Sequence, residues 1–391
     1  MAFHRANTEV AIIGGGIVGT AAAALLAERG RRVILVERDE VGAGASGRNL
    51  GVVQHPFDPI LEPLYQESVA TYAEMAATLP AFAFPREPAG LLVVSPDRAA
   101  LAASLNAFAG MPQLDATLLD PSAVHDLEPM LAEDLWAIRL ATAHPIPPHA
   151  ATAAMAERAL RAGATILAGR SAVPAVRAGR AEGVDLDGGG HVAADAVLVA
   201  AGPWTPFLLD PSGHWRPIVA TWGATAQLEM TVLPTHVLEE ARVDSVNRPV
   251  SGDSDLAAGI SDPPSMFTLA PAGGSAVIGS TFLRSEPDHR RLARLLVERG
   301  RRWLPALTDA RIVESRACAR PQSIDGRPLL GAIAGVDGLF VAAGHGPWGI
   351  STGPATSRLV VDAMLDPSHS PIPSALAATR VPAPRLREVS A

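Results

Sequence analysis

Three glycines near the start of the chain and one acid beyond them have the spacing of a dinucleotide-binding turn. Gly14, Gly16 and Gly19 form a G-x-G-x-x-G pattern directly after an apolar stretch, and Glu37 lies 18 residues beyond Gly19. Glycines allow the backbone to approach a pyrophosphate, and the N-terminus of a following helix supplies N–H donors and partial positive charge. Because a carboxylate can accept hydrogen bonds from ribose hydroxyls, these residues predict a bound dinucleotide.

The residues around this turn read as a strand, a helix and a second strand. Residues 10–13 are apolar, the alanine-rich stretch after the glycines reads as a helix capped by Gly30, and residues 32–37 form the second strand. Two later apolar strands also end in glycine, near residues 201 and 344. We therefore expect a nucleotide-binding sheet assembled from three separated pieces of chain.

The remaining patterns predict a second domain. Helical periodicity is found at residues 62–79, 97–109, 149–162 and 286–303, whereas residues 215–313 otherwise alternate short strand-like stretches. The expected fold is an α/β Rossmann-like nucleotide-binding domain with an inserted α+β substrate domain built on a mainly antiparallel sheet.

The expected boundaries follow from these patterns. The nucleotide-binding domain is predicted at residues 1–60, 149–210 and 315–391, and the substrate domain at residues 61–148 and 211–314. The proline-rich tail after residue 366 is expected to be disordered.

Composition excludes several kinds of chemistry. All 32 residues in the Lys+Arg count are arginine, which excludes a Schiff-base lysine and a P-loop lysine. The net charge of -8 and the lack of basic runs argue against a nucleic-acid partner. Apolar runs shorter than the roughly 20 residues that span a bilayer, and a start without a leader pattern, predict no membrane partner and a cytoplasmic location. A single cysteine, Cys318, excludes an intramolecular disulfide, and we expect no metal site.

Further segments distinguish FAD from NAD, since both satisfy the glycine turn. These segments are residues 37–49 (ERDEVGAGASGRN), residues 194–204 (ADAVLVAAGPW), Arg320-Pro321 with residues 325–328 (DGRP), and residues 342–350 (AAGHGPWGI). In order and spacing they resemble the D-amino-acid oxidase, glycine oxidase and sarcosine oxidase superfamily. The resemblance covers residues 10–366 and implies FAD as the cofactor.

The resemblance also implies which residues bind FAD. Amide donors and a helix N-terminus in the last segment favour negative charge on the reduced isoalloxazine. The residues implied are Gly14, Gly16, Ile17, Val18, Gly19, Glu37, Arg38, Ala45, Ser46, Arg48, Asn49, Leu50, Val173, Ala201, Gly202, Trp204, Gly344, His345, Gly346, Trp348, Gly349 and Ile350.

Cys318 could attach the flavin covalently. It stands seven residues before Asp325, the offset at which sarcosine-type oxidases carry the cysteine that bonds the flavin 8α-carbon. Arg316 and Arg320 nearby could lower the pKa of the thiol and supply the thiolate that such a bond needs. The alternative is a buried apolar thiol beside noncovalent FAD, as in glycine-oxidase-like relatives.

Arg320 matches the family arginine that binds the substrate carboxylate in glycine and D-amino-acid oxidases. A guanidinium offers two parallel charge-assisted hydrogen bonds to a carboxylate. Many relatives add a second cation in the C-terminal loop, where this chain has Pro347 and Trp348.

Four other side chains are candidates for the substrate site. Trp348, Trp222 and Phe267 fall in segments that approach the flavin in relatives, so they form either an aromatic wall or ordinary core. His55 follows the loop at residues 48–49 and could serve as a base or hydrogen-bond donor, or be structural.

The resemblance implies oxidation of a small amine or amino acid. Hydride passes from the α-carbon to flavin N5 and leaves an imine that hydrolyses, so positioning and desolvation dominate. The electron acceptor is O2 or another molecule, because the lysine that activates oxygen in sarcosine-type oxidases has no counterpart in a chain without lysine. The alternatives are oxidation of a hydroxy acid, and a flavin-carrying subunit of a larger complex without its own turnover. An oligomer or a partner subunit is compatible with each of them.

Overall fold

The structure, a computed structural model, describes residues 6–241 and 265–386. Residues 1–5, 242–264 and 387–391, which fall within the predicted domain ranges, lie outside the described residues. The strands are β1 (Ala6–Ile13), β2 (Val33–Val36), β3 (Val52–Val53), β4 (Leu91–Ser95), β5 (Thr117–Leu119), β6 (Trp136–Leu140), β7 (His144–Pro145), β8 (Thr165–Leu167), β9 (Ala172–Arg177), β10 (Arg180–Leu186), β11 (His191–Val199), β12 (Ile218–Glu229), β13 (Val237–Glu240), β14 (Ser265–Ala272), β15 (Ser275–Thr281), β16 (Arg311–Ser323), β17 (Leu329–Ala332) and β18 (Leu339–Ala343). The helices are α1 (Ile17–Glu28), α2 (Ala45–Arg48), α3 (Glu62–Thr78), α4 (Arg98–Phe108), α5 (Pro121–Leu127), α6 (Ala150–Arg161), α7 (Thr205–Leu209), α8 (His289–Gly300) and α9 (Gly349–Leu365).

Local sequence explains where the long helices begin and end. α1 is rich in alanine, the strongest helix former, and the chain leaves it through Gly30 at a φ of +76°. Asp97 begins α4 by accepting a hydrogen bond from the Ala99 N–H, and Asp288 caps α8 in the same way.

The first sheet has a parallel centre. Its order is β17-β18-β11-β1-β2-β8, with β10 and then β9 attached at β11. Helices α1, α6 and α9 pack on one face, whereas β9 and β10 contribute to the apolar cluster on the other, so the central strands are apolar on both sides. Because β1, β11 and β18 are parallel neighbours, their carboxyl ends meet at one edge of the sheet.

The second sheet is mainly antiparallel. Its order is β16-β12-β15-β14-β13-β4-β6-β5, and β13 and β4 pair in parallel. Helix α8 packs its apolar side against this sheet, with Leu292, Leu296 and Trp303 in the shared core.

Strand pairing differs from the predicted boundaries in two places. β16 pairs with β12 from Arg311 to Ser323, so residues 315–323 belong to the antiparallel sheet. α3, placed by sequence with the substrate domain, packs on α9, and the buried Tyr72 hydroxyl donates to the Ile350 carbonyl at 2.7 Å. Contacts between segments that are distant in sequence decide where both β16 and α3 lie.

The expectation of a disordered tail after residue 366 is wrong for the described part. Leu376 is buried, and its carbonyl accepts a hydrogen bond of 2.9 Å from the Leu330 N–H. The Pro382 carbonyl accepts a second bond from the Trp215 indole N–H at 2.6 Å. A few apolar residues among prolines and serines are enough to dock this segment on the first sheet. Among residues 6–241 and 265–386 no helix is both long and apolar enough to cross a bilayer.

Candidate active site

The turn between β1 and α1 requires glycine at two positions. Gly14 has a φ of +113°, and a Cβ there would lie 2.5 Å from the Ala200 carbonyl oxygen on the neighbouring chain segment. A Cβ on Gly19 would lie 1.9 Å from the Gly14 carbonyl oxygen. The backbone can therefore close tightly only with this sequence, which leaves the N-terminus of α1 open to a ligand.

Glu37 joins the end of β2 to this turn. Its Oε2 accepts a hydrogen bond from the Gly15 N–H at 2.6 Å, and its Oε1 accepts one from the Asp39 N–H at 2.9 Å. Arg38 lies over the Trp204 ring at 4.6 Å, at the same end of the cavity. The carboxylate is thus fixed beside the helix N-terminus, where an adenosine ribose would lie in a dinucleotide site.

The loop containing α2 forms a second wall. Ser46 Oγ accepts a hydrogen bond from the Ile17 N–H at 3.0 Å and so holds the loop against the first turn of α1. The Asn49 side chain donates to the Ala45 carbonyl at 3.1 Å and accepts from the Gly51 N–H at 2.7 Å.

The loop after β18 completes the site at the other end. His345 is buried, and its Nε2 lies 2.9 Å from Thr356 Oγ1. Burial lowers the pKa of His345 to about 4, so its ring is neutral at physiological pH and serves to hold the loop. Behind the loop, α9 begins at Gly349, and its first residues, Gly349 and Ile350, line the cavity, so the positive end of the helix dipole lies beside it.

A continuous cavity of about 650 Å³ connects these parts and extends to the second sheet. Its volume falls within the range of roughly 300–1,000 Å³ typical of ligand sites. The predicted residues that line it are Gly14, Gly16, Ile17, Val18, Glu37, Arg38, Ala45, Ser46, Arg48, Asn49, Leu50, Val173, Ala201, Gly202, Trp204, Trp222, Cys318, Arg320, His345, Gly346, Trp348, Gly349 and Ile350. Gly19 and Gly344 shape the turns beside the cavity without lining it.

Arg320 extends its guanidinium over the second sheet. Nη1 donates to the Thr281 carbonyl at 2.9 Å, Nη2 donates to Ser280 Oγ, and the guanidinium lies 5.0 Å from the centre of the Phe282 ring. No acidic side chain in the described part of the chain forms an ion pair with it. Burial lowers the pKa of Arg320, but a guanidinium keeps its charge in proteins. Its remaining N–H donors can therefore bind an anion in the cavity.

Comparison with known proteins places the chain in a family. A model of the DAO family, described as FAD dependent oxidoreductase, matches residues 9–363. The chain belongs to this family. It is therefore an FAD-dependent oxidoreductase, and the sequence-based predictions of FAD and of this superfamily are confirmed.

Two named relatives are similar to this protein over nearly the whole chain. Glycine oxidase of Geobacillus kaustophilus is 29% identical over 383 residues, which cover 90% of this chain and 92% of the relative. D-amino acid dehydrogenase of Xanthobacter autotrophicus is 26% identical over 419 residues, with coverage of 90% and 94%. The crystal structure of the Geobacillus glycine oxidase shares the fold at a TM-score of 0.80 and 24% identity, covering 97% of this chain and 99% of that one. The predicted fold class is thereby confirmed.

The residues present fit FAD, the cofactor of this family. Glycines without room for a Cβ line the pyrophosphate position, Glu37 stands at the ribose position, and the amides at the start of α9 face the opposite end of the cavity. These groups would hold FAD by backbone donors, one carboxylate and two helix N-termini.

Two predicted substrate-site residues, His55 and Phe267, do not line the cavity. His55 is buried beside it: its Nδ1 accepts from the Phe57 N–H at 3.0 Å, and burial lowers its pKa to about 4. Its neighbour Gln54 lines the cavity instead. Phe267 stacks on Trp303 in the core at 6.2 Å, because alternation along β14 turns Met266 and Thr268 to the cavity and Phe267 to α8. The aromatic residues at the cavity are therefore Trp222, Trp348 and Phe282, together with Trp204 and Phe207 at the nucleotide end.

Sequence reasoning missed several polar residues at the substrate end. Gln54, Thr225, Glu239, Thr268 and Ser280 all line the cavity. A detectable signal existed for Glu239, since the acidic pair in the sequence HVLEE follows two apolar residues of a strand-like stretch.

The Cys318 thiol lines the cavity but is poorly activated. Burial raises its pKa, and this outweighs the opposing effect of the Arg320, Arg316 and Arg48 guanidinium groups. Burial of the thiol therefore favours the alternative of a protonated thiol beside noncovalent FAD, and the covalent link stays a prediction to be tested.

We expect FAD to be noncovalently bound. Acid precipitation should release the yellow colour wholly into the supernatant, equally for the unmodified protein and for Cys318→Ala, because a protonated thiol is a weak nucleophile. Colour retained in the pellet of the unmodified protein and lost in Cys318→Ala would contradict this expectation.

Proposed function

We propose that this protein oxidises a small amine or amino acid by hydride transfer from the α-carbon, leaving an imine that hydrolyses in water. When bound, FAD accepts the hydride at N5 and later passes the electrons to O2 or another acceptor. The observation that carries the proposal is Arg320, a cation in the cavity without an acidic partner among residues 6–241 and 265–386. The similar glycine oxidase and D-amino acid dehydrogenase act, by name, on amino acids.

Arg320 is the proposed carboxylate-binding residue at the substrate end of the cavity. Arg320 binds the substrate carboxylate through the guanidinium N–H groups that make no hydrogen bond within the described part of the chain. Its bond to the Thr281 carbonyl fixes the guanidinium before substrate arrives, which reduces the entropy lost on binding.

Trp222 and Trp348 cover the substrate with apolar surface. Both line the cavity, and Trp348 packs at 5.9 Å against Phe57, which supports it from behind. Excluding water strengthens the attraction between Arg320 and a carboxylate and protects the imine until the product leaves.

Anaerobic mixing of the FAD-loaded protein with glycine, sarcosine or D-alanine tests the proposal. We expect at least one of them to bleach the oxidised flavin spectrum and to give an oxo acid together with ammonia or methylamine. Bleaching by none of a broad panel of amino acids and amines would contradict it.

A further inference from the structure

A second ionisable group faces the same cavity from a strand further along the same sheet. Glu239 lies on β13, is buried, and lines the cavity. Its neighbour Glu240 points away and pairs with Arg299 at 2.7 Å, as the alternation of a strand requires. Within the described residues, the only hydrogen bond to the Glu239 carboxyl comes from Gln54 Nε2, at 3.4 Å.

Burying a carboxyl with so little compensation is costly, because an unpaired charge loses its hydration. No cation of the described chain offsets this cost at Glu239, whereas Glu240 one residue further is fully paired. Among residues 6–241 and 265–386, the cavity side of β13 thus keeps a carboxyl that a donor or a cation of a ligand could pair with.

The order of strands places this carboxyl at a useful distance from Arg320. The guanidinium lies over β12 and β15: a Cβ on Gly223 would be 2.2 Å from its Nη2, and Nη1 bonds to Thr281. Glu239 pairs with Thr268 of β14, which separates β13 from β15. The backbones of β13 and β15 are two strand spacings apart, which amounts to roughly 10 Å. This distance leaves room for a small zwitterion between the Glu239 carboxyl and the Arg320 guanidinium.

We propose that Glu239 binds the ammonium group of the substrate and accepts the proton that leaves nitrogen before the hydride is transferred. This inference rests on the proposed oxidation of an amine. An ammonium nitrogen has no lone pair and cannot form a C=N bond, so one N–H bond must break first. The electron pair of that bond stays on nitrogen, and the proton forms an O–H bond with Glu239.

The electron balance is then complete. The nitrogen lone pair forms the C=N bond as the α C–H bond breaks, and the two electrons of that bond leave with the hydride to FAD, the oxidant of this family. The proton on Glu239 returns to solvent when the product leaves. Gln54 stays hydrogen-bonded to the carboxyl and orients it.

Protonation of Glu239 falls in an accessible range. Burial raises its pKa to about 7, so the carboxylate forms as the pH rises through 7. The groups facing it from β14, β4 and the stretch after β3 are Thr268, Val93 and Gln54, which do not titrate.

Two other titratable groups of the cavity lie outside this range. Burial raises the pKa of Cys318 and lowers that of His345 to about 4. The further charged side chains that line the cavity are Glu37, Arg38, Asp39, Arg48, Arg170, Glu286 and Arg320, whereas the pKa of Glu239 is shifted by burial and by its bond to Gln54.

Two ligands that the proposed reaction cannot oxidise test ammonium binding in the FAD-loaded protein, because one has no α-hydrogen and the other has no nitrogen to form a C=N bond. 2-Aminoisobutyrate carries an ammonium and a carboxylate but no α-hydrogen, and 2-methylpropanoate is the same acid without nitrogen. Titration followed by the flavin spectrum gives the affinity of each ligand. In Glu239→Gln we expect about 10-fold or greater loss for 2-aminoisobutyrate and no loss for 2-methylpropanoate, since a charge-assisted hydrogen bond disappears. Glu240→Gln, with the same change on the opposite side of β13, is the matched control and should leave the difference between the two ligands unchanged.

The pH dependence supplies a second readout. Affinity of the unmodified protein for 2-aminoisobutyrate should rise as the pH passes through about 7, where Glu239 ionises, and Glu239→Gln should lack this rise. With an oxidisable amine, the slow flavin reduction of Glu239→Gln should recover at high pH, where the amine enters already neutral.

The outcomes separate this inference from the proposed function. Equal losses for both ligands in Glu239→Gln, or no loss for 2-aminoisobutyrate, would overturn the role of Glu239 even if amines reduce the flavin. Selective loss in that variant supports the ammonium site, and it would do so even if no amine reduced the flavin, which would overturn the proposed function alone.

Discussion

Glu37→Arg should yield folded protein that carries little FAD. The substitution removes the acceptor of the Gly15 and Asp39 N–H groups and puts a cation beside the N-terminus of α1. Glu37 would also accept hydrogen bonds from the two ribose hydroxyls of FAD. Losing charge-assisted hydrogen bonds costs about 1.5–3 kcal/mol each, so losing both of these should weaken FAD binding at least about 100-fold. The ratio of flavin to protein absorbance after gel filtration measures the effect, and titration of apoprotein with FAD gives the affinity.

Glu40→Arg is the matched control for this prediction. Glu40 is exposed in the same loop and does not line the cavity, so the same reversal of charge should leave FAD content near that of the unmodified protein. Full FAD content in Glu37→Arg, with a normal affinity, would show that Glu37 is not a cofactor ligand.

Arg320→Ala should raise KM for an amino-acid substrate about 10- to 150-fold while FAD content stays unchanged. The range is the cost of roughly 1.5–3 kcal/mol for losing a charge-assisted hydrogen bond to a carboxylate. Arg320→Lys should recover only part of the loss, because lysine keeps the charge without the planar pair of donors.

The control for Arg320→Ala is a substrate that lacks a carboxylate. KM for an amine without a carboxylate, such as ethylamine beside D-alanine, should change little in Arg320→Ala. Similar changes for both would mean that Arg320 supports the sheet through Thr281 and Ser280 instead of binding the substrate.

Much of the fold follows from local sequence. Glycine at the end of three apolar strands, alanine in α1 and helical periodicity near α3, α4, α6 and α8 are signals that neighbouring residues carry by themselves. The fold class follows from them. The pairing of β16 with β12 and the docking of Leu376 were not predictable in this way, because they depend on contacts between distant segments.

The cavity is less predictable because one residue decides which face of a strand a side chain occupies. A shift of one position separates Phe267 in the core from Thr268 in the cavity, and His55 from Gln54. A role for Glu239 at the substrate site could not be predicted from the sequence, because the sheet order places its side chain on the same face as Arg320. Motifs predicted most of the residues at the nucleotide end of the cavity, whereas strand order and side-chain direction define the substrate end.

Oxidation of amines by this protein is tested most directly by comparing matched amines and hydroxy acids for reduction of bound FAD in the absence of oxygen. Suitable pairs are glycine with glycolate and D-alanine with D-lactate, which differ only in the group on the α-carbon. Stopped-flow absorbance should show bleaching of the oxidised flavin by the amine of at least one pair and none by its hydroxy partner. Bleaching by hydroxy acids alone, or by no member of any pair and no other amine, would contradict the conclusion that this protein oxidises amines.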